Sequence, residues 1–163
     1  MPDQSLAQTA AGTRVFIGDE MPTGDLTDEA TWDSVEWTEI GEVTELPEFG
    51  RAYQVIEHNP LATRRTNKRK GSYNEGSTTL QMAKAPGDDG QAALLAARDV
   101  DDTVPLKVEE DDAPEGGTPT TLYFGVQVTS YTTNYGTVNQ IKMSAAGLEL
   151  DTDVLEIEAA GPA

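Results

Sequence analysis

The 163-residue chain has no cysteine and a single histidine, His58. No disulfide, thiolate zinc site or thiol nucleophile can form, and one chain offers no His–His metal pair. Cations are scarce: 11 Lys plus Arg stand against 29 Asp plus Glu, a net charge of −18. Such a charge excludes a general binder of nucleic acid or of anionic membranes, because phosphates are repelled. It does not exclude a protein past which DNA must slide without being held. Aromatic residues make up 6% and hydrophobic residues 37% of the chain, which predicts a modest core. No apolar run approaches the roughly 18 residues of a membrane span. The first twenty residues lack a basic and then apolar leader, so a soluble protein made in a cytoplasm is expected.

What the chain does have is period-two alternation. Leu122, Phe124, Val126 and Val128 alternate with Tyr123, Gly125, Gln127 and Thr129. Val104, Leu106 and Val108 alternate with Pro105, Lys107 and Glu109. Ile141, Met143 and Ala145 alternate with Lys142 and Ser144, and Leu80 and Met82 with Gln81 and Ala83. Tyr53 and Val55 lie in a two-sided pattern. Further strands are expected over 13–18, 35–46 and 148–157, the last broken at Asp151. Short, half-polar strands of this kind fit antiparallel sheets with one wetter face. One segment differs. Asp88, with Gln91 three residues on, opens an Ala/Leu run that ends at Arg98, which predicts one capped helix of roughly ten residues among some eight strands. The expected architecture is mainly β: an antiparallel sandwich or barrel with one flanking α-helix, in a single domain spanning 1–163. An arm over 1–12 and a tail over 159–163 read as loosely ordered. Acidic loops are expected over 19–32 and 109–119.

The charge is unevenly spread. From His58 to Asn74 there are five cations (Arg64, Arg65, Lys68, Arg69 and Lys70) and no acid. The other 146 residues hold 6 cations against 29 acids, a balance of −23. A basic loop over 59–76 therefore stands on an acidic body. It reads as a solvated loop, as a nucleic-acid arm, or as a docking arm for an acidic surface of another copy. No aromatic lies among the cations to stack on bases, which weighs against the second. Opposite charges on two faces of one protein favour head-to-tail association into rings or filaments.

Other chemistry finds little footing. The acid clusters at 99–102, 109–112 and 151–153 lack calcium-loop spacing. No carboxylate pair is singled out for glycoside hydrolysis. His58 has no positioned Ser or Cys partner, and no nucleotide-binding, zincin or serine-hydrolase motif is present. Neither a catalytic residue nor a cofactor is expected.

Five segments, taken in order, resemble the tail tube (major tail) proteins of long-tailed bacteriophages. They are the opening AAGTRVFIGD from Ala10; the stretch Val35 to Leu46 (VEWTEIGEVTEL); Lys70-Gly71-Ser72 followed by Glu75 to Leu80 (EGSTTL); the helix start Pro86 to Ala97 (PGDDGQAALLAA); and the strand Leu122 to Tyr131 (LYFGVQVTSY). The resemblance spans nearly the whole chain. It implies a non-enzymatic virion protein whose subunits close into rings of six. Stacked rings would form a tube through which DNA passes without specific binding. It further implies a tape-measure protein in the lumen and terminator and baseplate proteins as partners. In that family the long loop after the second strand contacts neighbouring subunits or rings, a position matched here by 59–76. The immunoglobulin-like decoration domain of some relatives is not expected.

The physical reading is compatible. A ring removes exposed strand edges, and an acidic lumen repels DNA, so it slides. Glu42, Glu45 and Glu57 are the candidates for lumen-facing acids, chosen by their nearness to the expected inner strands. The competing reading is a monomeric β-sandwich that binds carbohydrate or a receptor through Tyr131 and Tyr135.

Overall fold

A computed structural model of the chain describes residues 7–163. Ten strands and two helices follow one another: β1 (Arg14–Gly18), α1 (Glu29–Trp32), β2 (Trp37–Ile40), β3 (Val43–Glu45), β4 (Ala52–His58), β5 (Asn67–Asn74), β6 (Ser77–Ala83), α2 (Asp89–Arg98), β7 (Val104–Glu109), β8 (Thr121–Asn134), β9 (Met143–Leu150) and β10 (Leu155–Ile157). Eight strands make one open antiparallel sheet in the order β2-β1-β7-β8-β9-β6-β3, with β10 added beside β8. β4 and β5 form a separate two-stranded hairpin.

The stretch 35–46, expected as one strand, is two. β2 pairs with β1, whereas β3 pairs with β6 at the far end of the order. The chain turns at Gly41-Glu42, and Glu42 takes a left-handed φ of 58° there. The two ends of the sheet path are thus joined by two residues, which curls the sheet around its core.

Helix α2 secures that corner. The Asp88 side chain accepts from Gln91 N–H (2.9 Å), the capping contact its spacing predicts, and also from Gly41 N–H (3.2 Å). The reciprocal half of a capping box does not form. The Gln91 side chain is buried and turned to the sheet instead, donating to Gly41 O (3.1 Å) and Ala83 O (2.8 Å) and accepting from Ala85 N–H (3.1 Å). Gly90 is required where the helix meets β2: a Cβ would fall 2.3 Å from Glu39 O. Gln91→Ala should cost about 1–3 kcal/mol, because it strands buried backbone groups. Urea unfolding of the two proteins measures the difference.

The main core fills the inside of the curl with Val15, Ile17, Leu80, Met82, Leu94, Leu106, Phe124, Val126 and Leu148. A second, smaller core lies on the outer face of the sheet. The acidic segment 19–34 is a clamp rather than a free loop: Asp28 caps the one-turn α1, and α1 delivers Trp32, which is 1% exposed. Trp32 stacks on Tyr123 (5.4 Å) and Trp37 (6.4 Å), and its indole N–H donates to Leu26 O (3.1 Å). Burial, followed by the nearby acids Glu29, Asp33 and Glu109, pushes the Tyr123 hydroxyl up to about 12.

Two further expectations change. In β9 the buried set is Ser144, Ala146, Leu148 and Leu150, while Met143 and Ala145 take the other face and Ile141 lies exposed outside the strand. A strand phase shifted by one residue exchanges its faces; here Ser144 enters the interior facing Thr133 Oγ1 (3.4 Å). Of the expected tail, Ala159 N–H donates to Thr120 Oγ1 (3.1 Å) and Ala160 pairs with Thr118, so the tail closes over the start of β8. Of the expected arm, residues 1–6 lie outside the described residues.

The 109–119 loop is likewise fixed. Asp112 accepts from Thr120 N–H (2.7 Å) and from the Thr120 hydroxyl, and these bonds hold its carboxyl below the ordinary 3.8. A depressed folded-state value contributes stability above the ordinary value and loses it as the pH falls through the lower one. Wild-type stability should therefore drop more steeply below about pH 4 than that of Asp112→Asn, as read by melting temperature against pH.

Candidate assembly surfaces

The five cations of the basic segment occupy an exposed arm. The expected loop over 59–76 is a loop only over 59–66, and the remainder is mostly strand β5. Arg64 and Arg65 lie on the connecting loop, and Lys68, Arg69 and Lys70 lie on β5. Lys68 meets Glu57 across the hairpin (3.3 Å), and Lys70 lies over the Tyr53 ring (4.9 Å). Arg64, Arg65, Arg69 and Lys70 face no carboxylate within 4.0 Å among the described residues.

Both faces of this hairpin are solvated. Every residue of β4 is exposed, with Val55 at 62% and Ile56 at 55%, and Leu61 projects from the connecting loop. A two-stranded hairpin with no covered face is marginally stable in water. Its root, by contrast, is fastened. Arg51 pairs with the buried Glu75 (2.8 Å) and with Asp153 (3.1 Å), and stacks over Tyr73 (4.2 Å). The Glu75 hydrogen bond comes first among the causes that hold the Arg51 guanidinium above its ordinary value.

A second surface is the outward face of β3, β6, β9 and β8. The register places Glu45 beside Gln81, Ser77 beside Glu149, Glu149 beside Gln127, Thr79 and Ser130 beside Gly147, and Thr132 beside Ala145. No Lys or Arg stands at these positions. Small and polar side chains are what an uncovered face carries. Glu45 and Glu149 are its acids.

This strip also has two unpaired edges. Strand β3 pairs only with β6 among the described strands. β7 begins at Val104, opposite Val126, so beyond that point β8 has β9 on one side and no described strand on the other.

The three candidate lumen acids are not brought together. Glu45 lies on the polar face, Glu42 at the β2–β3 corner, and Glu57 on the hairpin against Lys68. Glu149 was not signalled by the sequence; its outward direction follows from the phase of β9. Tyr131 and Tyr135 do not form a shared aromatic face: Tyr131 packs against the main core, and Tyr135 is exposed beyond the end of β8. His58 is exposed at the end of β4. No group of acids and His58 able to hold a metal occurs among the described residues, and no described helix is long and apolar enough to cross a membrane.

A curled, mostly antiparallel sheet with few helices is the fold of tail tube-like proteins. The chain matches a chain of an extracellular contractile injection system, PVC sheath/tube terminator in the extended state (TM-score 0.67, 15% identity, 94% of this chain and 98% of that one). It also matches a chain of the six-fold symmetrised anti-feeding prophage baseplate (TM-score 0.68, 12% identity, 97% and 100%) and the SPP1 tail tube (TM-score 0.62, 13% identity, 91% and 78%). No family model and no curated protein matches the sequence.

Proposed function

We propose that this chain is a structural, non-enzymatic tail component. Copies of it close into hexameric rings, and the rings stack into a tube that forms a negatively charged passage for DNA. The observation that carries the reading is the cation-free polar face of β3-β6-β9-β8, bounded by unpaired strand edges. Joining the β3 edge of one copy to the β8 edge of the next satisfies both edges and makes the polar faces one continuous wall. A wall with Glu45 and Glu149 and no cation repels a polyanion rather than retaining it. The fold likeness to a chain of a six-fold symmetrised assembly supports six as the ring number.

The hairpin arm serves the same assembly. Arg64, Arg65, Lys68, Arg69 and Lys70 contact acidic residues of an adjacent subunit or ring, and the exposed Val55 and Ile56 are covered there. The tape-measure protein fills the passage before DNA does, and terminator and baseplate proteins close its ends. The site of action is the virion tail, after synthesis in the bacterial host cytoplasm.

Negative-stain microscopy of the concentrated protein, and of virions carrying it, should show rings or tubes with a central channel. A protein that remains monomeric at every concentration and is missing from tails refutes the reading.

A further inference from the structure

Six cations have no carboxylate partner among the described residues. Four are on the hairpin. The other two, Lys84 and Lys142, stand together at the end of the sheet where β6 and β8 finish and β9 begins. Lys84 N–H donates to Lys142 O (2.8 Å), which ties the two backbones. Both ammonium groups lie against one ring, Tyr135, at 5.0 and 5.6 Å from its centroid, and Lys84 Nζ donates to the Tyr135 hydroxyl (3.1 Å). The Lys84 hydrogen bond, then its charge, holds that hydroxyl below its ordinary value, and Lys142 adds to the effect. Two like charges gathered on one ring repel, and an arriving carboxylate relieves that repulsion. On a body this acidic, the pair is a preorganised anion receptor.

The matching anion lies at the opposite end of β8, a strand of 14 residues spanning roughly 45 Å at about 3.3 Å per residue. There, Lys107 pairs with Glu109 (2.9 Å) and Thr120 holds Asp112, while Glu110, Asp111 and Glu115 are exposed and face no cation within 4.0 Å among the described residues. The loop that presents them is braced by Glu110 N–H to Thr120 O (2.9 Å) and Gly117 N–H to Pro114 O (2.8 Å). Opposite charges fixed at the two ends of one strand are a head-to-tail device.

We propose that Lys84, Lys142 and Tyr135 of one copy receive Glu110, Asp111 and Glu115 of a second copy stacked along β8. The inference rests on the tube reading and assigns its ring-to-ring contact, separately from the hairpin arm.

Two variants test it: Lys84→Glu with Lys142→Glu, acidic at both ends, and Glu110→Lys with Asp111→Lys and Glu115→Lys, basic at both ends. Circular-dichroism melts establish that each is folded. Sedimentation and microscopy should show that neither stacks alone, with the critical concentration raised about tenfold or more. An equimolar mixture should stack, because each variant then meets its complement at both ends. Stacking by either variant alone as by the unsubstituted protein, or a mixture that stays unstacked while the unsubstituted protein stacks, overturns the inference and leaves the tube reading standing. Absence of stacking by the unsubstituted protein overturns both.

Discussion

Replacing Arg65 and Arg69 by glutamate should abolish tube formation while leaving the monomer's melting temperature unchanged. Neither residue has a carboxylate partner among the described residues, and the one side-chain hydrogen bond given for the pair, Arg69 to the neighbouring Lys68 O (3.3 Å), is local and exposed, so little of the fold is lost with them. Both are on the exposed hairpin, away from either core. Reversing two charges changes the arm's interaction with an acidic neighbour by four units, and like charges set against each other cost several kcal/mol at an interface. Arg65→Lys with Arg69→Lys should retain assembly, and any residual assembly by the glutamate variant should rise with salt, which screens the new repulsion. Tubes of normal abundance and unaltered salt sensitivity would show that the arm does not carry the contact.

Trp32→Ala should produce the largest loss of stability of any single change on the outer face. Trp32 is the only tryptophan on α1, and through it the acidic clamp grips the sheet. Removal of a buried large aromatic typically costs about 3–5 kcal/mol. For a domain of this size that corresponds to a melting temperature lower by roughly 10 °C. Trp32→Phe should recover a good part of it, since a ring can still stack on Tyr123 while the indole bond to Leu26 and part of the buried area are lost. Because the small core around Trp32 contains none of the hairpin cations and neither Lys84 nor Lys142, assembly by the folded fraction should be affected much less than stability. A melt within a degree or two of wild type would mean that segment 19–34 contributes little to the fold.

Some of this was legible in the sequence and some was not, for definable reasons. Helix α2 was legible because local propensity and a capping residue agree over Asp88 to Arg98. β7 and the first half of β8 were legible because one face is consistently apolar. The clamp was hidden because one tryptophan among acids, proline and glycine reads as a loop, and its burial depends on partners at positions 37 and 123. The β4 half of the hairpin was legible from the two-sided pattern around Tyr53 and Val55, but β5 reads as part of the 59–76 loop because, with neither face covered, it shows no inside–outside alternation. β9 was misphased because a serine points inward while Ile141 and Met143 lie beyond the buried set. That phase is also why Glu149, rather than Glu57, accompanies Glu45 on the polar face: a nearby acid can be guessed from sequence, but its direction depends on register.

The corner at Gly41-Glu42 has a kinetic consequence. Strands two residues apart along the chain terminate opposite ends of the sheet, so neither can find its final partner through local contact. β1 must reach β7, and β3 must reach β6 and through it β9, before the ends are fixed. Such remote pairing slows the search for the native state, which places this chain with millisecond-to-second folders rather than microsecond ones. The β3 and β8 borders, unpaired even in the folded subunit, are then joined by other strand edges that have not yet found partners. Chains that meet while this search is under way are open to mispairing along those borders, a hazard that grows with the concentration of newly made protein.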